Sequence, residues 1–110
     1  MKLAIAQEKN QVATHFGRCS HYTLVEVQDG KVVDQDVIDN PGHEPGFLPG
    51  YLAERGVTCI IAGGMGQRAL SLFQQKGIEV CVGVTGSVEE VIAGYLAGEL
   101  VLGESLCEHD

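Results

Sequence analysis

The chain has 110 residues, of which 45% are hydrophobic, and this is enough for one globular domain with a single core. Its formal charge of -8 excludes the broad basic surface that non-specific nucleic-acid binding requires, and an acidic membrane surface would repel it. A local anion site remains compatible with this charge, because a few oriented backbone N–H groups and one arginine can hold an anion.

The apolar segments and the cysteines bear on the compartment. The first apolar run, Leu3 to Ala6, is too short for the core of a secretory signal, and no apolar run reaches the length of a membrane span. We therefore expect a cytoplasmic protein whose four cysteines are free thiols, metal ligands or buried packing residues rather than disulfides.

The first half of the chain predicts antiparallel strands. Met1 to Ala6 and Tyr22 to Val27 have strand patterns, and Asp29-Gly30 is a strong hairpin signal. The following "VVDQDVI" is then the antiparallel partner of the second strand, and its acidic side chains are expected on a solvated face. The segment from Asp39 to Gly50, "DNPGHEPGFLPG", is rich in proline and glycine and is expected to be a mobile loop that leads into a short helix ending at Gly56.

The second half contains two units in which a buried strand is followed directly by a helix. The strands are "VTCIIAGG" and "IEVCVGV", and the helices are "MGQRALSLFQQKG" and "TGSVEEVIAGYLAGEL". Ser87 and Glu90 form a capping-box signature at the start of the last helix. Such units require parallel strands joined by right-handed crossovers, so we predict a single-domain α/β fold with a mixed sheet of about five strands and about three helices.

Three loops are expected to meet at the carboxyl edge of the parallel strands, where ligands tend to bind in such sheets. They are "QEKNQVATHFGRCSH" after the first strand, "GGMG" after the central strand and "GVTGS" after the last. "GGMG" resembles the glycine-rich turn of a phosphate site but lacks both the full G-x-G-x-x-G fingerprint and the Walker lysine. A tight turn between strand and helix explains the glycines as well as a phosphate site does; they are Gly63, Gly64 and Gly66.

The first loop carries the side chains with the most chemistry. His15, Cys19 and His21 are imidazole and thiol groups, which suit zinc, copper or iron–sulfur clusters, although their H-x3-C-x-H spacing matches no familiar zinc pattern. Arg18 would complement an anionic cluster or a phosphate, or would form a surface salt bridge.

The other cysteines and histidines are weaker candidates. Cys59 and Cys81 occupy equivalent positions in two buried strands and are interpreted as packing residues. Cys107 and His109 form a C-x-H pair in a polar tail, and His43 lies in the proline-rich loop, where a solvated histidine is expected.

Three segments together resemble a known family: "HFGRCSHYTLVEV", "ERGVTCIIAGGMGQRAL" and "KGIEVCVGVTGSVEEVIAGYLAGEL". They are similar to the dinitrogenase iron–molybdenum cofactor biosynthesis family, which includes small NifX-like, NafY-like and orange-protein-like domains and the C-terminal domain of some NifB proteins. The resemblance covers residues 1–102, which we take as one cofactor-binding-like domain, and leaves residues 103–110 as a polar C-terminal tail.

The resemblance implies an α/β fold with a ribonuclease-H-like motif. It also implies a nitrogen fixation-related, non-catalytic role in binding or carrying a metal–sulfur cluster of iron–molybdenum or iron–sulfur type. The expected partners are proteins that donate or accept the cluster, with no role for nucleic acid or membrane. The expected cofactor-binding residues are His15, Phe16, Gly17, Arg18, Gly63, Gly64, Met65 and Gly66, and the expected metal ligands are His15, Cys19 and His21.

Two other functions remain open from the residues. A phosphate- or nucleotide-binding enzyme would use the glycine-rich turn, and it predicts stabilisation by nucleotides with magnesium. A regulatory interaction domain would use the glycine loops only structurally, and it predicts a protein partner with no dependence on metal.

Overall fold

A computed structural model of the protein describes residues 1–40 and 47–97. In this part of the chain a single sheet of six strands is covered on one face by two helices and on the other by a third. The elements, in chain order, are β1 (Lys2–Glu8), β2 (Gln11–Val12), β3 (His21–Gln28), β4 (Lys31–Asp39), α1 (Phe47–Glu54), β5 (Cys59–Ile61), α2 (Gln67–Gln75), β6 (Glu79–Cys81) and α3 (Val88–Leu96).

The strand order is β4-β3-β1-β5-β6, with β2 paired to β1. The hairpin predicted at Asp29-Gly30 is present, since β3 and β4 pair antiparallel on either side of it. The two predicted strand–helix units are also present, because β1, β5 and β6 are parallel to one another. The α/β class, the mixed sheet and the three helices are thereby confirmed. The two-residue strand β2 was not predicted.

The core is divided by the central strands, whose side chains alternate between the two faces. On β1, Ala4 and Ala6 pack with residues of α1 and α2, whereas Leu3 and Ile5 pack with residues of α3. All three residues of β5 are buried, as the continuous apolar run predicted. The central strands are therefore buried on both faces, and the loops at the carboxyl edge extend from this buried base.

Cys59 is a free, buried packing residue, as predicted. Cys81 is buried too but is disulfide-bonded, so the prediction that none of the cysteines forms a disulfide is wrong. Cys59 and Cys81 are both buried, and their Sγ atoms lie 3.7 Å apart on the face covered by α3. Burial raises the pKa of the Cys59 thiol to about 12, so the reactive thiolate is scarce at neutral pH.

The ends of the helices match their sequence signals. Gly56 follows α1 with a φ of +85°, the left-handed conformation expected at a C-terminal cap. The capping box at α3 is complete, because the Ser87 hydroxyl accepts from the Glu90 N–H and the Glu90 carboxylate accepts from the Ser87 N–H.

None of the helices in the described ranges is both long and apolar enough to cross a membrane. Three residues with sequence-based predictions lie outside the described ranges: His43, Cys107 and His109.

Candidate functional site

The three loops at the carboxyl edge are joined by backbone hydrogen bonds. Gly63 donates its N–H to the carbonyl of Ala13 at 2.8 Å, and Phe16 donates to the carbonyl of Gly64 at 2.9 Å. The third loop is joined to the second because Gly83 donates to the carbonyl of Gly63 at 2.9 Å. The predicted convergence of these loops is confirmed, and together they form one continuous surface above the sheet.

The glycines at the end of β5 allow the first and second loops to touch. A Cβ atom on Gly63 would lie 2.9 Å from both the carbonyl oxygen of Ala13 and the Cα of Thr14. A Cβ on Gly64 would lie 2.9 Å from the carbonyl oxygen of Thr14. These distances are too short for any side chain, and the obstructing atoms belong to backbone. Contact between the loops thus requires glycine at both positions.

Phe16 anchors the first loop to the core. Its ring centroid lies 5.6 Å from that of Tyr22 and 5.1 Å from that of Phe73, in tilted and edge-to-face arrangements. The next residue, Gly17, has a φ of +91°, which side-chain-bearing residues rarely adopt. With Phe16 turned inward and the backbone reversing at Gly17, the flanking His15 and Arg18 remain exposed to solvent.

A cleft of about 570 Å³ lies between the first and second loops. It is lined by His15, Phe16, Arg18, Gly64, Met65 and Gly66. Six of the eight expected cofactor-binding residues therefore line one cleft. The other two, Gly17 and Gly63, shape its walls, through the turn and the loop contact described above.

One lining residue of the cleft, Gly66, directly precedes α2, and the N-terminus of α2 lacks the capping box that α3 has. Gly66 is the N-cap of α2 and provides no side-chain hydrogen bond, and the first turn contains no acidic residue. Within residues 1–40 and 47–97, the N–H groups of Gln67, Arg68 and Ala69 have no acceptor. A helix N-terminus with free N–H groups carries partial positive charge, and a nearby anion is stabilised by about 0.3–1 kcal/mol. The cleft is therefore suited to negative charge despite the acidity of the whole chain.

Cys19 and His21 do not line the cleft. Cys19 is 4% exposed and packs in the core beneath the loop, beside Tyr22. Burial raises the pKa of the Cys19 thiol, and burial, together with Cys19, raises the pKa of Tyr22. His21 is half-buried, with Nε2 3.2 Å from Asp39 Oδ1 and Nδ1 2.9 Å from Ser20 Oγ. In the described part of the chain, no three His, Cys, Asp or Glu side chains are grouped to hold a metal ion.

Two residues outside the predicted set hold the first loop in place. Asn40 Nδ2 donates to the carbonyl of Cys19 at 2.8 Å and to that of Gly17 at 3.2 Å. Glu8 Oε1 accepts from the N–H of Ser20 at 2.8 Å. No sequence pattern indicates these roles, since they depend on the register that returns the end of β4 beside the loop.

The fold and the cleft define a class: a small α/β domain with a mixed sheet and an open cleft at the carboxyl edge of its parallel strands. Within this class, the chain belongs to the family described as dinitrogenase iron-molybdenum cofactor, whose model matches residues 1–98. The family resemblance predicted from the three sequence segments is confirmed.

The chain is similar to other proteins in both sequence and structure. It is 35% identical over 105 residues to the uncharacterized protein MJ0580 of Methanocaldococcus jannaschii, a match that covers 91% of this chain and 89% of the relative. The crystal structure of PH0822 superposes with a TM-score of 0.87 at 31% identity, covering 93% of this chain and 96% of that one.

The apo form of the orange protein from Desulfovibrio gigas has the same fold. It superposes with a TM-score of 0.77 at 22% identity, and the match covers 94% of this chain and 93% of that one. At this level of identity the likeness shows the fold alone.

Proposed function

We propose that the protein binds an anionic metal–sulfur cluster, of iron–molybdenum or iron–sulfur type, in the cleft and carries it between a donor and an acceptor protein. The observation that carries this proposal is the combination of His15, Arg18 and the uncapped N-terminus of α2 around one open cleft. The family description supports iron–molybdenum cofactor as the kind of cargo.

The charge of the cleft supports an anionic cargo. The Arg18 guanidinium offers a fixed fork of donors, and the N-terminus of α2, which directly follows the lining residue Gly66, adds partial positive charge beside the cleft. Hydrogen bonds from such groups to cluster sulfur would offset the negative charge of the cluster. Binding of this kind needs few direct bonds to the metal.

His15 is the side chain best placed to bind a metal directly. It is exposed, lines the cleft and is an imidazole, a common ligand for iron and copper. Cys19 and His21, the other two predicted ligands, do not line the cleft, and binding through them would require the Cys19 thiol to leave the core and His21 to give up its contact with Asp39. The proposal therefore assigns the direct bond to the metal to His15 alone. A cargo held by one direct ligand and several hydrogen bonds is released readily, which suits a carrier.

The first test is anaerobic reconstitution with iron and sulfide, with and without molybdate. The wild-type protein is expected to gain visible absorption and a fixed amount of metal per chain. His15→Ala is expected to lower that amount by roughly tenfold or more, because even the loss of a hydrogen bond that supports a metal ligand costs about this much affinity. Metal analysis and visible absorption provide the measurement.

The matched control is His21→Ala, in the same loop region but outside the cleft. It is expected to load like the wild type, and comparable loss in both variants would extend the ligand set to His21. Thermal unfolding of both variants shows whether the fold is intact. A wild-type protein that stays colourless and metal-free, or a His15→Ala variant that loads fully, would contradict the proposal.

A phosphate- or nucleotide-binding enzyme remains the second candidate, because the N–H groups at the start of α2 would also hold a phosphate. Contact with the first loop explains why Gly63 and Gly64 are glycines. The glycine-rich turn is therefore weaker support for a phosphate site than it was in the sequence. A nucleotide with magnesium would then raise the melting temperature, and the cluster proposal predicts no such rise.

A further inference from the structure

We propose that the free edge of β4 is a docking site for a basic β-strand of a partner protein. At nine residues β4 is the longest strand within residues 1–40 and 47–97, and it forms one edge of the sheet there. Eight of its residues are exposed and the ninth, Ile38, is half-buried. The opposite edge, β6, has only three residues, so β4 offers the long template that strand addition requires.

The register shows which backbone groups of β4 are available. Asn40 donates its N–H to the carbonyl of Ser20 at 2.9 Å, in line with the β3–β4 pairing. Hydrogen-bonded pairs alternate along an antiparallel ladder, so the even-numbered residues from Asp34 to Ile38 point their N–H and C=O groups toward β3. The N–H and C=O groups of Gln35, Val37 and Asp39 therefore point away from the sheet.

The side chains of β4 combine apolar surface with negative charge. Val33 is 54% exposed and Val37 is 49% exposed, which is high for residues of this type in a strand. Asp34, Asp36 and Asp39 lie among them and are also exposed. From Asp34 to Asp39 the side chains alternate between the two faces, so a strand that alternates valine and lysine would cover Val37 and pair with Asp34 and Asp36.

When no partner strand is bound, the Asp36 side chain partly covers the edge of β4. Its Oδ1 accepts the outward N–H of Val37 at 2.9 Å, which satisfies a group that would otherwise be open for pairing. A lysine on the incoming strand would attract the Asp36 carboxylate and release the Val37 N–H for a backbone bond. A neutral strand would have to break this contact without compensation, so the edge favours a cationic partner.

A second copy of this chain fits the edge poorly. Antiparallel self-pairing over the full strand, centred on Gln35, would set Asp34 of each copy against Asp36 of the other, and like charges directly opposite are destabilising. A register centred on Val37 avoids this contact but pairs only residues 35–39. Each copy also carries a formal charge of -8. The occupant is therefore a strand of opposite charge from a different protein.

The edge ends close to the cleft loop. Asp39, the last residue of β4, lies 3.2 Å from His21, and the next residue, Asn40, holds the carbonyls of Gly17 and Cys19. A partner docked on β4 would stand beside the loop that carries His15 and Arg18. This position suits a donor or acceptor of the cargo, but docking itself does not depend on the cargo proposed above.

The test uses a synthetic peptide of nine alternating lysine and valine residues as the probe. Titration into isotope-labelled protein is expected to shift the backbone amide signals of residues 34–39. A second peptide of equal charge, with proline in place of its central valine, is expected to bind several-fold more weakly because proline cannot complete the ladder. Equal affinity of the two peptides would show that charge alone, and not strand pairing, causes binding, and this would overturn the proposal.

Gln35→Pro and Gln35→Ala form the matched pair of protein variants. The N–H of Gln35 points outward, so proline removes it without breaking a bond to β3, whereas alanine keeps it. Gln35→Pro is expected to weaken binding roughly fivefold or more, and Gln35→Ala to leave it unchanged. Unchanged amide signals in β1 and β5 would show that both variants are folded.

Three further results would overturn the proposal: no amide shifts at residues 34–39, shifts confined to another surface, or equal affinity in both Gln35 variants. Sedimentation without peptide provides a separate check. A dimer that Gln35→Pro dissociates would assign the edge to a second copy and overturn the choice of occupant.

Discussion

Replacing Gly63 with alanine is expected to destabilise the protein by about 1 to 3 kcal/mol, the usual cost of forcing an extra methyl into a packed site. The new Cβ would meet the carbonyl oxygen of Ala13 and the Cα of Thr14 at 2.9 Å. Because both atoms belong to backbone, no side-chain rotation relieves the contact, and the first loop must move. The hydrogen bond from the Gly63 N–H to Ala13 would be lost with that movement.

Urea unfolding of Gly63→Ala measures this cost, and Gly50→Ala is the matched control. Gly50 lies within α1, and a Cβ there would meet nothing within 4 Å. Alanine in a helix is better than glycine by roughly 0.5–1 kcal/mol, so Gly50→Ala is expected to stabilise the protein. Replacing glycine with alanine is thus expected to lower the free energy of unfolding at position 63 and to raise it at position 50. If Gly63→Ala were as stable as the wild type, the contact between the loops would not need glycine.

Cargo binding provides a second readout for Gly63→Ala. The cleft lies between the two loops that this substitution pushes apart, so metal loading should fall even at temperatures where the variant is fully folded. Gly50→Ala, which touches neither loop, should load like the wild type. If metal loading of Gly63→Ala fell only in proportion to the folded fraction, the contact between the loops would contribute to stability but not to cargo binding.

The local patterns of the sequence were enough to predict the sheet. Asp29-Gly30 marks a hairpin because its backbone conformation matches the twist of the flanking strands, and β3 and β4 pair around it. The run that contains β5 is apolar on both faces because helices cover both sides of the sheet. Parallel strands then place their loops at one edge, so the meeting of His15 with Gly64 followed from topology.

The details of the site depend on contacts that no local pattern encodes. Gly63 looked like either a phosphate turn or a tight turn, and only the distance to Thr14 shows that it permits contact between two loops. Cys19 has the chemistry of a ligand, yet the turn at Gly17 places it in the core. Asn40 is an ordinary polar residue until the β3–β4 register brings it beside Gly17. Such roles arise from tertiary packing between residues distant in the chain.

Phe16→Ala is expected to release the cleft loop from the core. The ring packs against Tyr22 and Phe73, and its loss should cost about 3 kcal/mol, toward the lower end for buried phenylalanines because Phe16 is half-buried. Without this anchor, His15 and Arg18 would no longer be held on one wall of the cleft. We therefore expect metal loading to fall more steeply than stability. Urea unfolding and metal analysis of the same samples test this.

Two comparison variants separate the anchor from general stability. Phe16→Leu keeps an apolar side chain at the site and should retain most of the loading. Leu3→Ala removes a fully buried side chain from the opposite face of the sheet, at a cost of about 2–5 kcal/mol, without touching the loop. If Leu3→Ala loads normally while folded and Phe16→Ala does not, the aromatic anchor positions the binding residues. Equal loading by both variants would instead mean that the loop keeps its shape through the bonds of Asn40 and Glu8 to its backbone.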